Sequence, residues 1–600
     1  MRDGEIPTRF ENYRPHVDGD RQLDALRLGA HPHRKAKLIF DGERGGDVAR
    51  ADRGVGGNSQ RDPKGAVGLG ADVGRLFWVE RIGDEASVRP TLLKIALTHH
   101  LAFDFHAANE VFTEAFARPT PAPPRLEPSE TLTWAMPTAW DRAVAPGLSL
   151  SDPAFQVTRN LFRGLLAIGR DHDLEPDLAE GFTVTDDGGS YRFTLRRDAA
   201  WSDGAPLTAD DFAFTFARMV EDDVVAASWL DGVEANAIDE RTLEIQLRDP
   251  RNDFLYLLAQ PPLFAWPRHA YERDGRDWHR SVPLVGSGPF VLSDRDEDSV
   301  ALAASPSWYG ARGNVGEVRL ELEASAVVAA DRWRRGAYDV LHEALTFRVV
   351  ADDETVIQRS PGQFTWFLGF IARRTPLDDV RIRRALAHAI DRRGPANLLG
   401  GTVATTGGVV PPTTPGHSYR VAPAYDPDRA RALLSEAGHP DGHGLGEIVL
   451  ACLDLWEDAA ADIAVQLERI GVRVRLVSAT SDPDLEAAIR DQAHAYIWSW
   501  GEEYPDTARG FLELFFSDDF YRDKELEELL ARAASLRDED ERLRTYRAFE
   551  RKWIGEQAAV VPISYGDCAL WRRPWVTGMW VNATEISTFA SAVVRRPHRE

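Results

Sequence analysis

Residues 496–506, YIWSWGEEYPD, combine aromatic rings with carboxylates in a pattern suited to binding a small ligand. Aromatic side chains form apolar walls, and a few polar anchors among them fix the orientation of a ligand. A carboxylate in such a wall needs a cationic partner, and a ligand ammonium group supplies one through a charge-assisted hydrogen bond. An exposed acidic loop is the alternative interpretation. The aromatic residues expected to line one cavity are Trp498, Trp500, Tyr504, Trp366 and Trp308, although each taken alone is more typical of a hydrophobic core.

Motifs of catalysis are absent from the sequence, which has no nucleotide-binding loop, no Gly-x-Ser-x-Gly elbow and no HExxH pair. We therefore expect a non-enzymatic protein without catalytic residues, cofactor or metal. His439 and His443 flank Asp441 in GHPDGHG, which leaves a metal site open. The glycines and the proline of this motif favour a surface turn instead.

Composition limits the partners of this 600-residue chain, whose length predicts more than one hydrophobic core. The net charge of -24 argues against nucleic acid as the main partner, because phosphate binding requires a basic surface. Cys452 and Cys568 are the only cysteines, too few for a disulfide framework or a thiolate metal site.

The N-terminal sequence MRDGEIPTRFENYRP carries acidic residues and a proline where a secretory signal would be apolar, and no early cysteine could carry a lipid. No apolar run is long enough to span a bilayer, so stable membrane insertion is not expected. The sequence as written predicts a cytoplasmic protein. An extracellular or periplasmic location is expected if the true start differs.

The clearest local pattern lies in the stretch from Leu174 to Val220. Residues 191–195 alternate apolar and polar side chains, as in a strand with one buried face. Thr208 and Asp211 have the spacing of a helix-capping box, and the apolar residues that follow recur on one helical face. The residues expected on that face are Phe212, Phe216, Met219 and Val220.

This stretch resembles the signature region of the family 5 solute-binding proteins, which are the dipeptide, oligopeptide and nickel receptors of ABC transporters. VGSGPFVL (285–292), SPSWYG (305–310) and TWFLGFIARRTPLDDVRIRRALAHAIDRRG (365–394) extend the resemblance. It implies an α/β fold of the two-lobed periplasmic-binding-protein type (type II, cluster C), with an extra subdomain in the first lobe. Two such lobes close around a ligand by hinge motion.

The resemblance also implies a domain order. Residues 131–600 form the solute-binding domain, with lobe I at about 131–345 plus 560–595 and lobe II at about 365–555. Residues 119–130 are a proline-rich linker. Residues 1–118 form a partly disordered appendage. Its segment GDEASVRPTLL is similar to cytoplasmic regulators of the sugar-phosphate-stress type, which carry the same binding domain.

In peptide-binding members of the family, an aspartate three residues after a tryptophan accepts the ligand's α-ammonium group. The matching residue is Glu503, which follows Trp500 and precedes Tyr504, and the change to glutamate leaves the ligand class open. The resemblance implies a receptor for peptides or similar small molecules that works with an ABC permease if it is exported. The alternative is a cytoplasmic ligand-sensing transcriptional regulator, and only this alternative involves DNA.

Overall fold

The computed structural model describes part of the chain. The described residues are 85–118, 124–137, 144–149, 152–170, 173–323, 325–342, 345, 351–399, 403–480, 482–501, 512, 523–536, 538–582 and 587–597. The chain divides into two compact units, Met1–Thr91 and Leu92–Glu600. The first unit is described only from residue 85, so the predicted disorder of the N-terminal segment lies outside the described residues.

The strands of the described residues are distributed from residue 130 to residue 594. In chain order they are β1 (Glu130–Pro137), β2 (Leu166–Ile168), β3 (Leu174–Pro176), β4 (Ala179–Val184), β5 (Ser190–Leu195), β6 (Val233–Ala237), β7 (Thr242–Leu247), β8 (Phe290–Arg295), β9 (Ser299–Ala304), β10 (Val315–Glu323), β11 (Val340–Leu341), β12 (Val356–Phe370), β13 (Val403–Ala404), β14 (Glu447–Leu453), β15 (Arg473–Ala479), β16 (Ala495–Gly501), β17 (Val560–Arg572), β18 (Val576–Thr577) and β19 (Val593–Val594).

The α-helices alternate with these strands along much of the chain. They are α1 (Glu85–Leu101), α2 (Phe105–Ala117), α3 (Asp152–Leu161), α4 (Ala209–Glu221), α5 (Phe254–Leu257), α6 (Arg268–Asp274), α7 (Ala326–Arg334), α8 (Val380–Ala389), α9 (Arg393–Leu398), α10 (Pro427–Glu436), α11 (Glu457–Glu468), α12 (Asp482–Asp491), α13 (Lys524–Ser535) and α14 (Glu539–Glu550). A π-helical turn, Arg551–Glu556, continues α14. In the described residues, no helix has both the length and the apolar character needed to cross a bilayer.

Most of the strands join one large mixed sheet in the order β15-β14-β16-β12-β17-β11-β1-β10-β9-β8, with β13 paired to β17. β14 is parallel to both β15 and β16, and β1 is parallel to both β10 and β11. The apolar patterns of EIVLACL and VRVRL, with a helical segment between them, predict a βαβ unit with parallel strands. The parallel pairing of β14 and β15 around α11 confirms it. β12 and β17 are antiparallel to each other and connect the two parallel groups.

A smaller antiparallel sheet has the order β4-β5-β7-β6. The side chain of Asp211 accepts the backbone N–H of Thr208 at 2.8 Å, which confirms the predicted capping box at the start of α4. Phe212, Phe216 and Met219 are buried as predicted. The placement of Val220 on the same face was wrong, because it lies at the end of α4 and 55% of its surface is exposed.

The C-terminal tail is tied to β1 through a buried carboxylate. Asp339 accepts the backbone N–H of Thr133, the indole N–H of Trp575 at 2.7 Å and a guanidinium N–H of Arg596. Its negative charge therefore has one cationic partner and two further donors, the arrangement that a buried carboxylate requires. Strand β1 and the C-terminal tail, which are far apart in the sequence, are thereby held together, while the division into two lobes stays a prediction.

A second hydrophobic core surrounds β12, β14, β16 and the first half of β17. Helices α8, α10, α11 and α14 contribute their apolar faces to it. For α8 the sequence predicts Asp378 as the cap, with Ile382, Leu386, Ala389 and Ile390 facing inward. The cap is instead Asp379, which accepts the backbone N–H of Arg381 at 2.8 Å. The four apolar side chains are buried as predicted.

Helices α1 and α2 follow one another across the short turn 102–104, and their part from Leu92 to Ala117, named here the hairpin after this turn, belongs to the larger unit. α2 packs on β4, an edge strand of the smaller sheet, and there the ring centroids of Phe112 and Phe182 are 4.7 Å apart. The side chain of Asn109 accepts the backbone N–H of Val184 at 3.1 Å, so the helix also satisfies a donor on the strand edge. The sequence predicts a helix from about Val88 but does not separate a second helix from it.

His100 gives this hairpin a pH-dependent anchor. Its ring lies 2.8 Å from the Tyr191 hydroxyl and 3.1 Å from the carbonyl oxygen of Asn252. Burial lowers the pKa of His100 to about 4. The unfolded residue binds its proton near pH 6.5, so stability is lost as the pH falls from about 6.5 to about 4, by about 3 kcal/mol in total.

We predict that the melting temperature of the full chain falls more steeply between pH 7 and pH 4.5 than that of the His100→Gln variant. The amide of glutamine does not titrate in this range, so the difference isolates the imidazole. His106→Gln is the control, because this neighbouring histidine is exposed. Parallel pH profiles for the wild type and His100→Gln would contradict the assignment.

Candidate ligand-binding site

The tryptophans proposed to bind ligand lie mainly on two paired strands of the large sheet. β12 and β16 are antiparallel, and their register pairs Thr365 with Trp500, Trp366 with Ser499 and Phe367 with Trp498. β16 is parallel to β14, and β14 is parallel to β15, so the carboxyl ends of all three strands point the same way. β16 ends on this side of the sheet, at Gly501. Trp500 is therefore the last side chain before the chain leaves this edge.

The register places the three tryptophans on two faces of the sheet. Side chains alternate along a strand, and directly paired residues share a face. Trp498 and Trp500 thus share a face with Phe367, and Trp366 lies on the opposite face. That these tryptophans line one cavity stays a prediction. Trp366 on β12 is paired with Ser499, so it lies beside Trp498 and Trp500 near the end of β16.

Trp366 is almost fully buried and packs edge-on against Phe364, with ring centroids 4.9 Å apart. Trp498 and Trp500 are half-buried and contact the second core. The indole N–H groups of Trp366 and Trp500 have no hydrogen-bond partner among the described residues. Both N–H groups can therefore donate to atoms outside the described residues, including atoms of a ligand.

Trp308 lies in a different environment. Its indole N–H donates to the carbonyl oxygen of Ala311 at 2.8 Å, and its ring packs on Tyr309 with centroids 4.5 Å apart. The guanidinium of Arg163 lies 6.0 Å from the ring. These contacts all involve residues between 163 and 311, and the described contacts do not bring Trp308 to the other three tryptophans.

Glu503 and Tyr504 lie outside the described residues, in the segment that directly follows β16. Their predicted roles in ligand binding stay predictions. The turn around His439 and His443 is described, and there a ring nitrogen of His439 lies 3.0 Å from the carbonyl oxygen of His443. Asp441 adopts a positive φ of 51° within this turn.

A buried polar cluster that the sequence did not indicate supports β12 from the side of Thr365. The Thr365 hydroxyl donates to the carbonyl oxygen of Val409 at 2.7 Å. The next residue, Val410, donates its backbone N–H to the carboxylate of Glu550 at 3.1 Å. The loop approaches so closely that a Cβ on Gly408 would lie 2.0 Å from a Glu550 oxygen. The adjacent glycines at 407 and 408 were the only sequence signal for this close contact.

Electrostatics set Glu550 apart from the other carboxylates of its helix. Burial raises its pKa to about 7, and the hydrogen bond from Val410 offsets only part of this effect. The phenol of Tyr565 borders the same loop and donates to the carbonyl oxygen of Gly408 at 2.9 Å. Burial raises the pKa of Tyr565 as well. Burial in this cluster therefore favours the neutral forms of Glu550 and Tyr565. Glu503, by contrast, is expected to be charged.

The family model for bacterial extracellular solute-binding proteins, family 5 Middle, matches residues 173–522. The chain belongs to family 5 of the bacterial extracellular solute-binding proteins. This confirms the family that the sequence motifs predicted. Family 5 proteins are non-enzymatic binding receptors, which confirms the prediction of a binding protein rather than an enzyme.

Among characterised relatives of this family 5 protein, the periplasmic oligopeptide-binding protein OppA of Escherichia coli is 26% identical over 470 residues, which cover 71% of this chain and 85% of OppA. The oligopeptide-binding protein OppAIV of Borrelia burgdorferi superposes with a TM-score of 0.69 at 22% identity, covering 77% of this chain and 99% of OppAIV. AgaA of A. tumefaciens R10, solved with agropinic acid, gives a TM-score of 0.66 at 20% identity over 78% of this chain and 99% of AgaA. The structures confirm the predicted mixed α/β periplasmic-binding-protein fold.

We predict that Glu550→Gln stabilises the protein at pH 8 but not at pH 5. The folded-state pKa of about 7 lies above the unfolded value of 4.5, so the stability that Glu550 contributes is complete below pH 4.5 and is lost as the pH rises through 7. The difference between wild type and variant should change by about 3 kcal/mol across this range. Melting temperatures measured at both pH values test this.

Glu541→Gln provides the control for this measurement. The residue lies on the same helix, but its side chain is 40% exposed and pairs with Arg532 at 2.7 Å. Its substitution should change the melting temperature by the same small amount at both pH values. A pH-independent effect of Glu550→Gln would show that Glu550 is already ionised in the folded protein at pH 5.

Proposed function

We propose that this family 5 protein is the substrate receptor of an ABC-type importer and binds a peptide or a similar small ligand between two closing lobes. Trp500 supports this most directly, because it stands at the carboxyl edge of three parallel strands and leads into the segment that contains Glu503. Ligands of open α/β sheets bind at this edge, outside the carboxyl ends of the strands. Trp498 and Trp500 offer apolar surface on one face of the sheet, and the indole N–H groups of Trp500 and, on the opposite face, Trp366 are two donors near the end of β16.

Closure requires a hinge, and the large sheet offers one in β12 and β17. The start of β12 pairs with the end of β17 beside β11, as in the pair Ile357–Trp571. The end of β12 pairs with the start of β17 inside the second core, as in Gly369–Val560. Both strands therefore pass from one proposed lobe to the other, the geometry in which small changes of backbone angle produce domain closure.

Peptide is the favoured ligand class because Glu503 matches the position at which an acidic residue accepts a ligand ammonium group in peptide-binding relatives. OppA of E. coli is named for oligopeptide binding. The structure of AgaA contains agropinic acid, so a fold of this kind also accepts a non-peptide. The substitution experiment below separates these ligand classes.

A second candidate is a cytoplasmic ligand-sensing regulator built on the same binding domain. The matched part of this chain, 77–78% of its length, covers 99% of OppAIV and of AgaA. This chain therefore contains residues that have no counterpart in those two structures. Helices α1 and α2 lie in the region predicted as an appendage. Under this alternative, the ligand controls a contact with DNA instead of delivery to a permease.

We predict that Glu503→Gln weakens binding of trialanine by about 2 to 5 kcal/mol, because the ligand ammonium loses its ionic partner while the shape of the site is kept. Isothermal titration calorimetry of both forms measures this difference. N-acetyl-trialanine lacks the ammonium group and should bind wild type and variant with equal, low affinity.

Glu502→Gln is the matched control for this experiment, since it removes the same charge one residue earlier. It should retain the wild-type affinity for trialanine. Equal affinities of wild type and Glu503→Gln would place Glu503 outside the site. Binding of neither peptide by the wild type would contradict a peptide receptor and direct the search toward non-peptide ligands.

Fractionation of the native host, with an antibody against the chain, separates the two candidate functions. A receptor should appear in the periplasmic, extracellular or membrane-attached fraction. A regulator should remain in the cytosolic fraction and bind DNA in a mobility-shift assay. A cytosolic chain would contradict the importer receptor even if trialanine binds.

A further inference from the structure

The turn between α1 and α2 contains a residue in a strained conformation. Phe103 has φ of +59°, a left-handed conformation that is unfavourable for a bulky side chain. Strain of this kind persists only where surrounding contacts compensate for it, and such positions are frequent at functional contacts. The turn thus holds the aromatic ring of Phe103 in one direction despite its backbone preference.

The ring of Phe103 meets a guanidinium that belongs to another part of the molecule. The guanidinium carbon of Arg542, on α14, lies 5.5 Å from the centre of the ring, within the range of a cation–π interaction. Arg542 is only 7% exposed, and it also donates to the carbonyl oxygen of Leu536 at 3.1 Å. Desolvation strengthens a cation–π contact relative to one on the open surface.

The two side chains of this contact belong to different parts of the fold, the hairpin on the smaller sheet and the second core. The hairpin is fixed to the smaller sheet, where Phe105 packs over Gly188 so closely that a Cβ there would lie 2.2 Å from its ring. α14 belongs to the second core through Tyr546 and Phe549. The Phe103–Arg542 contact therefore joins the smaller sheet to the second core at a place distant in sequence from the β12–β17 crossing.

α14 also connects this contact with the candidate ligand site. The helix ends at Glu550, which accepts the N–H of Val410, and the neighbouring Val409 accepts the hydroxyl of Thr365. Thr365 is paired directly with Trp500 across the β12–β16 ladder. A displacement of α14 relative to the smaller sheet is thereby transmitted to the strand that carries the site.

We propose that the hairpin segment Leu92–Ala117 is a latch between the smaller sheet and the second core, which restrains their relative movement and couples the hairpin to ligand-driven closure. The coupling to ligand rests on the proposed function, whereas the restraint is a property of the ligand-free chain. The two parts therefore have separate tests.

Distance measurement between spin labels tests the restraint. Glu234→Cys on β6 and Glu528→Cys on α13 place labels on exposed positions of the smaller sheet and the second core. The native Cys452 and Cys568 are buried, and the chain without introduced cysteines should take up no label. We expect one narrow distance distribution for the full chain without ligand.

Phe103→Gly removes the ring and tolerates the positive φ, so it tests the contact without adding backbone strain. The fraction of molecules whose label–label distance lies outside the main peak should rise about fivefold to thirtyfold, because a partly desolvated cation–π contact is lost. Phe103→Tyr should behave as the wild type. Arg542→Met should match Phe103→Gly, and the double variant should add nothing further, because the two side chains act through one contact.

An unchanged distance distribution in Phe103→Gly would overturn the latch. Hydrogen exchange of the α2 amides should be the same in wild type and variant, and faster exchange would overturn it too, since Phe103 would then only stabilise the hairpin. Calorimetry with trialanine on the same samples keeps the two proposals apart. Missing trialanine binding contradicts the peptide receptor, whereas the latch is judged by the label distances alone.

Discussion

The antiparallel ladder between β12 and β17 is the constraint on which the other features depend. Its residue pairs run from Val356–Arg572 to Gly369–Val560, and they connect the two parallel strand groups into one sheet. The ladder is interrupted at residues 362–364, and on both sides of this interruption its hydrogen bonds satisfy backbone groups, so neither strand can be displaced alone without exposing donors and acceptors. Relative movement of the two cores must therefore twist both strands together. β16 pairs with the end of β12, which places the tryptophans beside this crossing.

Short-range signals in the sequence predicted the local elements well. Thr208 and Asp211 predicted the start of α4, because a capping box needs only residues three positions apart. Pro427 likewise favours a helix start, because proline is accepted in the first helical turn, and α10 begins at this residue. The cap of α8 was displaced by one residue, since Asp378 and Asp379 are both suitable caps and tertiary packing decides between them. The family motifs, matched along much of the chain, then supplied the fold that local signals cannot.

Features that depend on pairing between distant segments could not be predicted in this way. The face of Trp366 follows from its register with Ser499, which lies more than a hundred residues later. Glu550 carries no sequence signal of burial, because a glutamate near the end of a helix is usually exposed. The second helix of the hairpin is stabilised by β4, and the contact of Phe103 with Arg542 spans most of the chain. Each of these features depends on tertiary structure that no local pattern encodes.

The arrangement separates two tasks that ligand recognition requires. The tryptophans on β12 and β16 are fixed by ladder hydrogen bonds and by core packing. In the proposed receptor they give apolar contact of one shape, and charge recognition is assigned to Glu503 in the segment after β16. A change from aspartate to glutamate at position 503 alters the reach of one carboxylate and leaves the aromatic surface untouched. Within one fold, ligand class can therefore change through the segment after β16 while the hinge and both cores stay the same.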